Sequence, residues 1–307
     1  QALDALQQNR EIELLRCEQV MFFRPVTQAM LGPIGPRDAI NRPIGSEPPA
    51  RGTPVVALLD GAPLERHRAL DGRIILEDPD GFATSYQPGD QAHGTAMASL
   101  IIHGDLGEQQ QPLSKPLYVR PVMKAESEGG SRREQFPSDQ LFLDVLHRAV
   151  RRMVVGDGGA PPTAPSVRIV NLSLGNPWQP FTREMSPLAK LLDWLAWEHE
   201  LLFLVSAGNY SDSVRLDVPR VQYRQIDDKD AVRAALRSIR DTRHERRLIS
   251  PAESMNAVTI GALHADSAGN GHLGNRIDLM RGRSYTSPIS RLGLGLHRSV
   301  KPEVLMP

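Results

Sequence analysis

The chain has 307 residues, 40% of them hydrophobic, with 36 lysines and arginines against 36 aspartates and glutamates. That length builds one large α/β domain or two smaller ones around a real core, and the charge balance leaves no global field to draw nucleic acid or an anionic membrane. A single cysteine, Cys17, excludes an internal disulfide and a cysteine-rich zinc site, as in a reducing compartment, and apolar runs such as Leu201 to Val205 are too short to cross a bilayer.

In chain order, Ala2 to roughly Val20 reads as helical and Pro25 to Gly52 as a stretch of proline and glycine breakers. Residues 1–52 are therefore expected to form an appended segment and linker that adds no strand to the core. From residue 53 to 307 short apolar runs alternate with amphipathic stretches, which predicts an α/β domain with a doubly wound, mostly parallel central sheet and helices on both faces. The expected strands are Pro54 to Leu59, Leu117 to Val122, Val167 to Leu172 and Leu201 to Ser206, whose continuous Val, Ile and Leu content suits strands covered on both sides. Leu141, Phe142, Val145, Leu146, Ala149, Val150 and Met153 share one helical face, as do Leu188, Leu191, Leu192 and Leu195. Gly156 to Pro165 reads as a solvent loop. A helical insertion at about residues 210–248 carries Arg233, Arg237, Arg240, Arg243, Arg246 and Arg247 at spacings that predict a solvated face opposite Val232, Ala235, Leu236 and Ile239. Asp78, Asp80 and Asp90 lack any ligand spacing, so no metal and no cofactor is expected.

Four short motifs carry the chemistry. VVALLDG ends on Asp60 and Gly61, placing a carboxylate at the carboxyl edge of a parallel sheet, where open α/β folds gather ligand sites; a turn-capping role fits the same position. HGTAMASLIIHG begins at His93, with Ala96, Ala98, Ser99, Leu100 and Ile101 predicting a buried helix that mounts the imidazole at its amino end. NLSLG contains Ser173, Leu174 and Gly175, and VSAGN contains Ser206, Ala207, Gly208 and Asn209; both also read as ordinary buried strand ends.

The order of these motifs, with SPAESMNAVTIGA from Ser250 and KPEVLMP from Lys301, resembles the subtilisin-like serine peptidases over about Thr53 to Pro307. The resemblance implies a catalytic Asp60 and His93, Asn209 as oxyanion-hole donor, and two walls of a peptide-binding cleft made by Ser173, Leu174 and Gly175 and by Ser206, Ala207 and Gly208. Leu117 to Lys124, with Glu126 to Gly130, resembles the opposite wall. The family places its serine shortly after the KP stretch, so the sequence is expected to stop short of the nucleophile and to be inactive alone. Ser284, Ser287, Ser290 and Ser299 lack the preceding Gly-Thr.

The expected function is thus a serine endopeptidase acting on a peptide or protein substrate through an acyl-enzyme. The alternatives are a non-catalytic peptide-binding module without a nucleophile, and one half of a processed enzyme. HGTAMASLI and the single cysteine resemble the intracellular bacterial subtilases, which implies a cytoplasmic location, and some of those are encoded beside an AAA-type ATPase partner.

Overall fold

The computed structural model describes residues 49–307 except 107, 109, 129–130 and 266–276. The expected appended segment, Cys17 included, lies outside the described residues up to position 48. The described chain runs β1 (Val56–Asp60), β2 (Ile74–Leu76), α1 (Ala92–His103), β3 (Leu117–Pro121), β4 (Lys124–Glu128), β5 (Ser131–Gln135), α2 (Phe142–Val154) and β6 (Ile169–Leu172). It continues through β7 (Asn176–Pro180), α3 (Pro187–His199), β8 (Leu202–Ser206), α4 (Arg220–Tyr223), α5 (Asp228–Asp241) and β9 (Ile249–Ser250). Then follow β10 (Ala257–Ala262), β11 (Gly293–Leu294), β12 (Val300–Lys301) and β13 (Val304–Met306).

Seven strands form one parallel sheet in the order β13-β10-β8-β6-β1-β3-β2. Its register sets Leu58 between Val119 and Asn171. Successive residues of β1 point to opposite faces and both are covered, which is why the run reads apolar throughout. Ala57 and Leu59 join Tyr118, Val170, Leu172, Phe203 and Val205 under α2 and α3, which contribute Val145, Leu146, Ala149, Val150 and Met153 and Leu188, Leu192 and Leu195. On the other face Leu58, Leu117 and Val119 pack with Ala98 and Ile102 of α1. Each such leucine, once fully buried, stabilises the fold by about 1.5–3 kcal/mol.

Local chemistry starts the helices where the sequence says. Ser186 accepts a hydrogen bond from Ala189 N at 3.1 Å, and Pro187 occupies the first turn of α3, where its missing N–H costs nothing. Asp227 caps α5 by accepting from Lys229 N at 3.0 Å.

Three expectations are corrected. α1 is not buried all round: Gly94, Ala98 and Ile102 fall on one stripe at a spacing of four, while Ala96 and Leu100 face solvent. The 156–165 loop is mostly exposed but sends Ala164 into the core. Arg246 does not share the solvated face of Arg233, Arg237 and Arg240. It lies past the end of α5, is fully buried, covers the Tyr210 ring at 3.8 Å and donates to Pro288 O and Thr242 Oγ1.

The 210–248 segment runs between β8 and β9, and β9 pairs with β7 outside the seven-stranded sheet. The segment's two ends are drawn together by Arg291, which donates to the carbonyls of Asn209 at 2.9 Å, Glu245 at 3.2 Å and Arg247 at 3.0 Å.

Candidate active site

Asp60 is the last residue of β1 and is fully buried. Its Oδ1 accepts from Gly61 N at 2.6 Å and meets His93 Nδ1 at 2.9 Å. This assigns the proton to Nδ1 and leaves Nε2 as the basic nitrogen. Burial alone would lower the basicity of His93, but the charge and hydrogen bond of Asp60 outweigh it and raise the imidazole above its ordinary range.

Each residue of His93-Gly94-Thr95 has a separate task. A Cβ at Gly94 would come within 2.5 Å of Gly61 O, so only glycine lets the start of α1 approach the end of β1. Thr95 Oγ1 donates to Gln91 O at 2.7 Å and accepts from Leu64 N at 2.8 Å, and Gln91 Nε2 reaches Pro63 O at 3.0 Å. The mount of the imidazole is thereby pinned to the 61–64 turn.

Because the strands are parallel, the ends of β1, β6 and β8 share one edge of the sheet. Asn209, three residues past β8, stands there exposed, with β6 between β8 and β1, which puts the two strand ends about 10 Å apart. Its carbonyl accepts from Arg291, and among the described residues its side-chain amide makes no hydrogen bond. Ser173, Leu174 and Gly175 follow β6 on that edge. Leu174 turns into the core, while Ser173 donates to Asn171 Oδ1 at 2.9 Å. After β8, Ser206 Oγ accepts from Gly208 N at 3.1 Å, Ala207 is buried and Gly208 has φ 100°.

The 173–175 and 206–208 segments converge on Ile249. A Cβ at Gly175 or at Gly208 would collide with its side chain, which is 5% exposed, so an isoleucine occupies the space between them. Sequence reasoning missed this residue because an isoleucine beside a strand reads as core. It also missed Glu134 and Tyr86, which press against Gly61, since β5 reads SRREQ and its charges suit a solvated hairpin. Of the expected opposite wall, Leu117 to Pro121 is the buried strand β3 and Lys124 to Glu128 is one arm of the β4–β5 hairpin; 129 and 130 lie outside the described residues.

Ser290 Oγ is spent on Ala262 N and Arg291 O, and Ser287 Oγ on Ile289 N. Asp78 caps the turn at Phe82–Ser85, Asp80 pairs with Arg120 and Asp90 with Arg132. No cluster of three or more metal-type ligands occurs among the described residues. None of their helices is long and apolar enough to cross a membrane.

A sequence model of the "Subtilase family" matches residues 52–307. No curated protein matches. Among solved structures, the prenylagaramide maturation protease PagA is 20% identical, with 67% of this chain and 53% of that chain covered and a TM-score of 0.36. The S41 psychrophilic protease is 18% identical, with 78% and 58% covered and a TM-score of 0.41. MycP1 from Mycobacterium smegmatis is 15% identical, with 78% and 56% covered and a TM-score of 0.35. The chain spans little more than half the length of these structures.

Proposed function

This chain belongs to the subtilase family, and on that premise we propose that it carries the acid–base half of a serine endopeptidase. The observation behind the reading is the buried Asp60 whose Oδ1 lies 2.9 Å from His93 Nδ1 at the carboxyl edge of the sheet. Asp60 holds the Nδ1 proton and stabilises the imidazolium; Nε2 takes the hydroxyl proton of a serine as that oxygen attacks the peptide carbonyl, then returns it to the departing amine. The freed acyl-enzyme is hydrolysed by water activated at the same nitrogen. Asn209, with its amide unengaged at the same edge, is the donor to the oxyanion. The walls at Ser173 to Gly175 and Ser206 to Gly208 take the peptide backbone, and no cofactor enters the chemistry.

The mechanism needs a serine hydroxyl at His93 Nε2, and none of Ser284, Ser287, Ser290 or Ser299 follows Gly-Thr. Labelling by a fluorophosphonate probe tests this: the chain extended to carry a Gly-Thr-Ser segment is expected to label in a His93-dependent manner. An extended chain that binds peptides yet never labels supports the non-catalytic peptide-binding module instead.

A further inference from the structure

Three buried oxygens beneath the site have no hydrogen-bond partner among the described residues: Asp60 Oδ2, Glu134 Oε1 and the Tyr86 hydroxyl. Two of them, from Glu134 and Tyr86, meet at the backbone position that follows Asp60. A Cβ at Gly61, the residue after Asp60, would overlap the Glu134 carboxyl and come within 2.9 Å of the Tyr86 hydroxyl. The grouping is built from separate elements that are tied to one another. Glu134 sits on β5 opposite Ala125 of β4, and Ala125 N donates at 3.0 Å to Ser85 Oγ, immediately before Tyr86.

Two ionised carboxylates cannot share such a place without water, because each would lack compensation and repel the other. Asp60 Oδ1 already accepts from Gly61 N and meets His93 Nδ1, so a proton held between the two carboxyls belongs on Glu134. We infer that Glu134 is a positioning residue for the Asp60–His93 pair: as a neutral carboxylic acid beside Tyr86, it offers its proton to the vacant side of the Asp60 carboxylate and fixes that carboxylate against His93 Nδ1.

The electrostatics agree with the geometry. Burial first, and then the charge of Asp60, push Glu134 up to about 8, against an opposing pull from His93; Asp90 adds to the rise. Asp90 is itself paired with Arg132 at 3.0 Å, which keeps its influence small. Tyr86 is pushed upward as well, by burial and then by Glu134, so it remains a neutral phenol. The groups bearing on Glu134 are thus Asp60, His93, Tyr86 and Asp90, with Arg133 and Gln135 flanking it on its own strand. Glutamine at 134 keeps a donor and loses the charge, whereas alanine loses both.

The catalytic consequence rests on the peptidase reading, but the test does not use turnover. Carbon-13 NMR of glutamate carboxyls in the full 307-residue chain should show one group titrating near 8, absent in Glu134→Gln and shifted downward in Asp60→Asn. The Nδ1 proton resonance of His93 should persist in Glu134→Gln and be lost from Glu134→Ala. A Glu134 that titrates in the ordinary carboxylate range overturns the inference, and so does a Glu134→Ala protein with an unchanged His93 resonance. Should the alanine variant fail to fold, the carboxyl titration of the unaltered chain decides alone. Failure of the probe-labelling experiment would remove the peptidase and leave this result standing.

Discussion

Gly94 and Gly61 touch backbone to backbone: the first turn of α1 rests on the carbonyl of the residue that follows Asp60, with no room for a methyl group between them. The 2.9 Å contact of His93 with Asp60 depends on that approach. Gly94→Ala must therefore lift the helix or tilt it. The expected outcome is loss of the protected His93 Nδ1 proton signal and a destabilisation of about 1–3 kcal/mol, read by denaturant titration.

Asp60→Asn removes the charge that keeps His93 basic. Burial, which alone acts downward, then governs, and the imidazole should titrate below its ordinary 6.5 in a histidine NMR titration. The sign for stability follows. A base raised by its partner stabilises the fold fully below 6.5, and that contribution disappears as pH climbs through the higher folded value. Thermal unfolding of the unaltered chain should show this fall as pH rises above 6.5, and Asp60→Asn should not. In a chain bearing the serine, the same change should lower turnover on the order of 10⁴-fold.

Ile249→Ala should open the space between Gly175 and Gly208. In the serine-bearing chain, peptides with larger side chains before the scissile bond should gain kcat/KM relative to those with glycine or alanine there. A cost of about 2–4 kcal/mol in stability is expected from the lost packing. An unchanged preference profile would show that the substrate side chain goes elsewhere.

The two kinds of arginine around the insertion should separate cleanly. Arg246→Ala leaves the Pro288 carbonyl and Thr242 hydroxyl without their donor and strips the Tyr210 ring, for a loss of about 3 kcal/mol. Arg237→Ala, on the exposed side of α5, should change stability by no more than about 0.5 kcal/mol. Paired urea denaturations give both numbers.

What the sequence disclosed about the fold tracks where burial is simple. β1, β3, β6 and β8 are covered on both faces, so their apolar runs announce them within two residues of their ends. α2 and α3 bury one stripe each, and their periodicity gives them away. Asp60 and His93 were visible because each closes or opens such an element. Glu134 was not, since its burial comes from a hairpin folding back onto Gly61, a long-range event that leaves no periodic trace in SRREQ. Arg246 fits the helical spacing of its neighbours, yet the helix ends at Asp241, and a guanidinium past a helix end takes its surroundings from the tertiary fold. The filling of the inter-wall space by Ile249 is likewise a matter of which loop comes home between two glycines.

The grip of Arg291 on Asn209, Glu245 and Arg247 makes the stretch between Tyr210 and Leu248 a closed excursion, leaving and re-entering the domain at neighbouring points. A segment hinged this way can change length between its ends without altering strand register, provided it keeps its hold on residues 279–292: Val232, Ala235 and Ile239 against Met280, the Tyr223 hydroxyl on Leu279 O and Arg246 on Pro288 O. Surface properties carried on α5 are therefore free to diverge under selection at a different pace from the Asp60–His93 pair. A chimera that swaps this segment while keeping Arg291, its three anchor carbonyls and the contacts to residues 279–292 should inherit the donor's outer face on the recipient's unchanged frame.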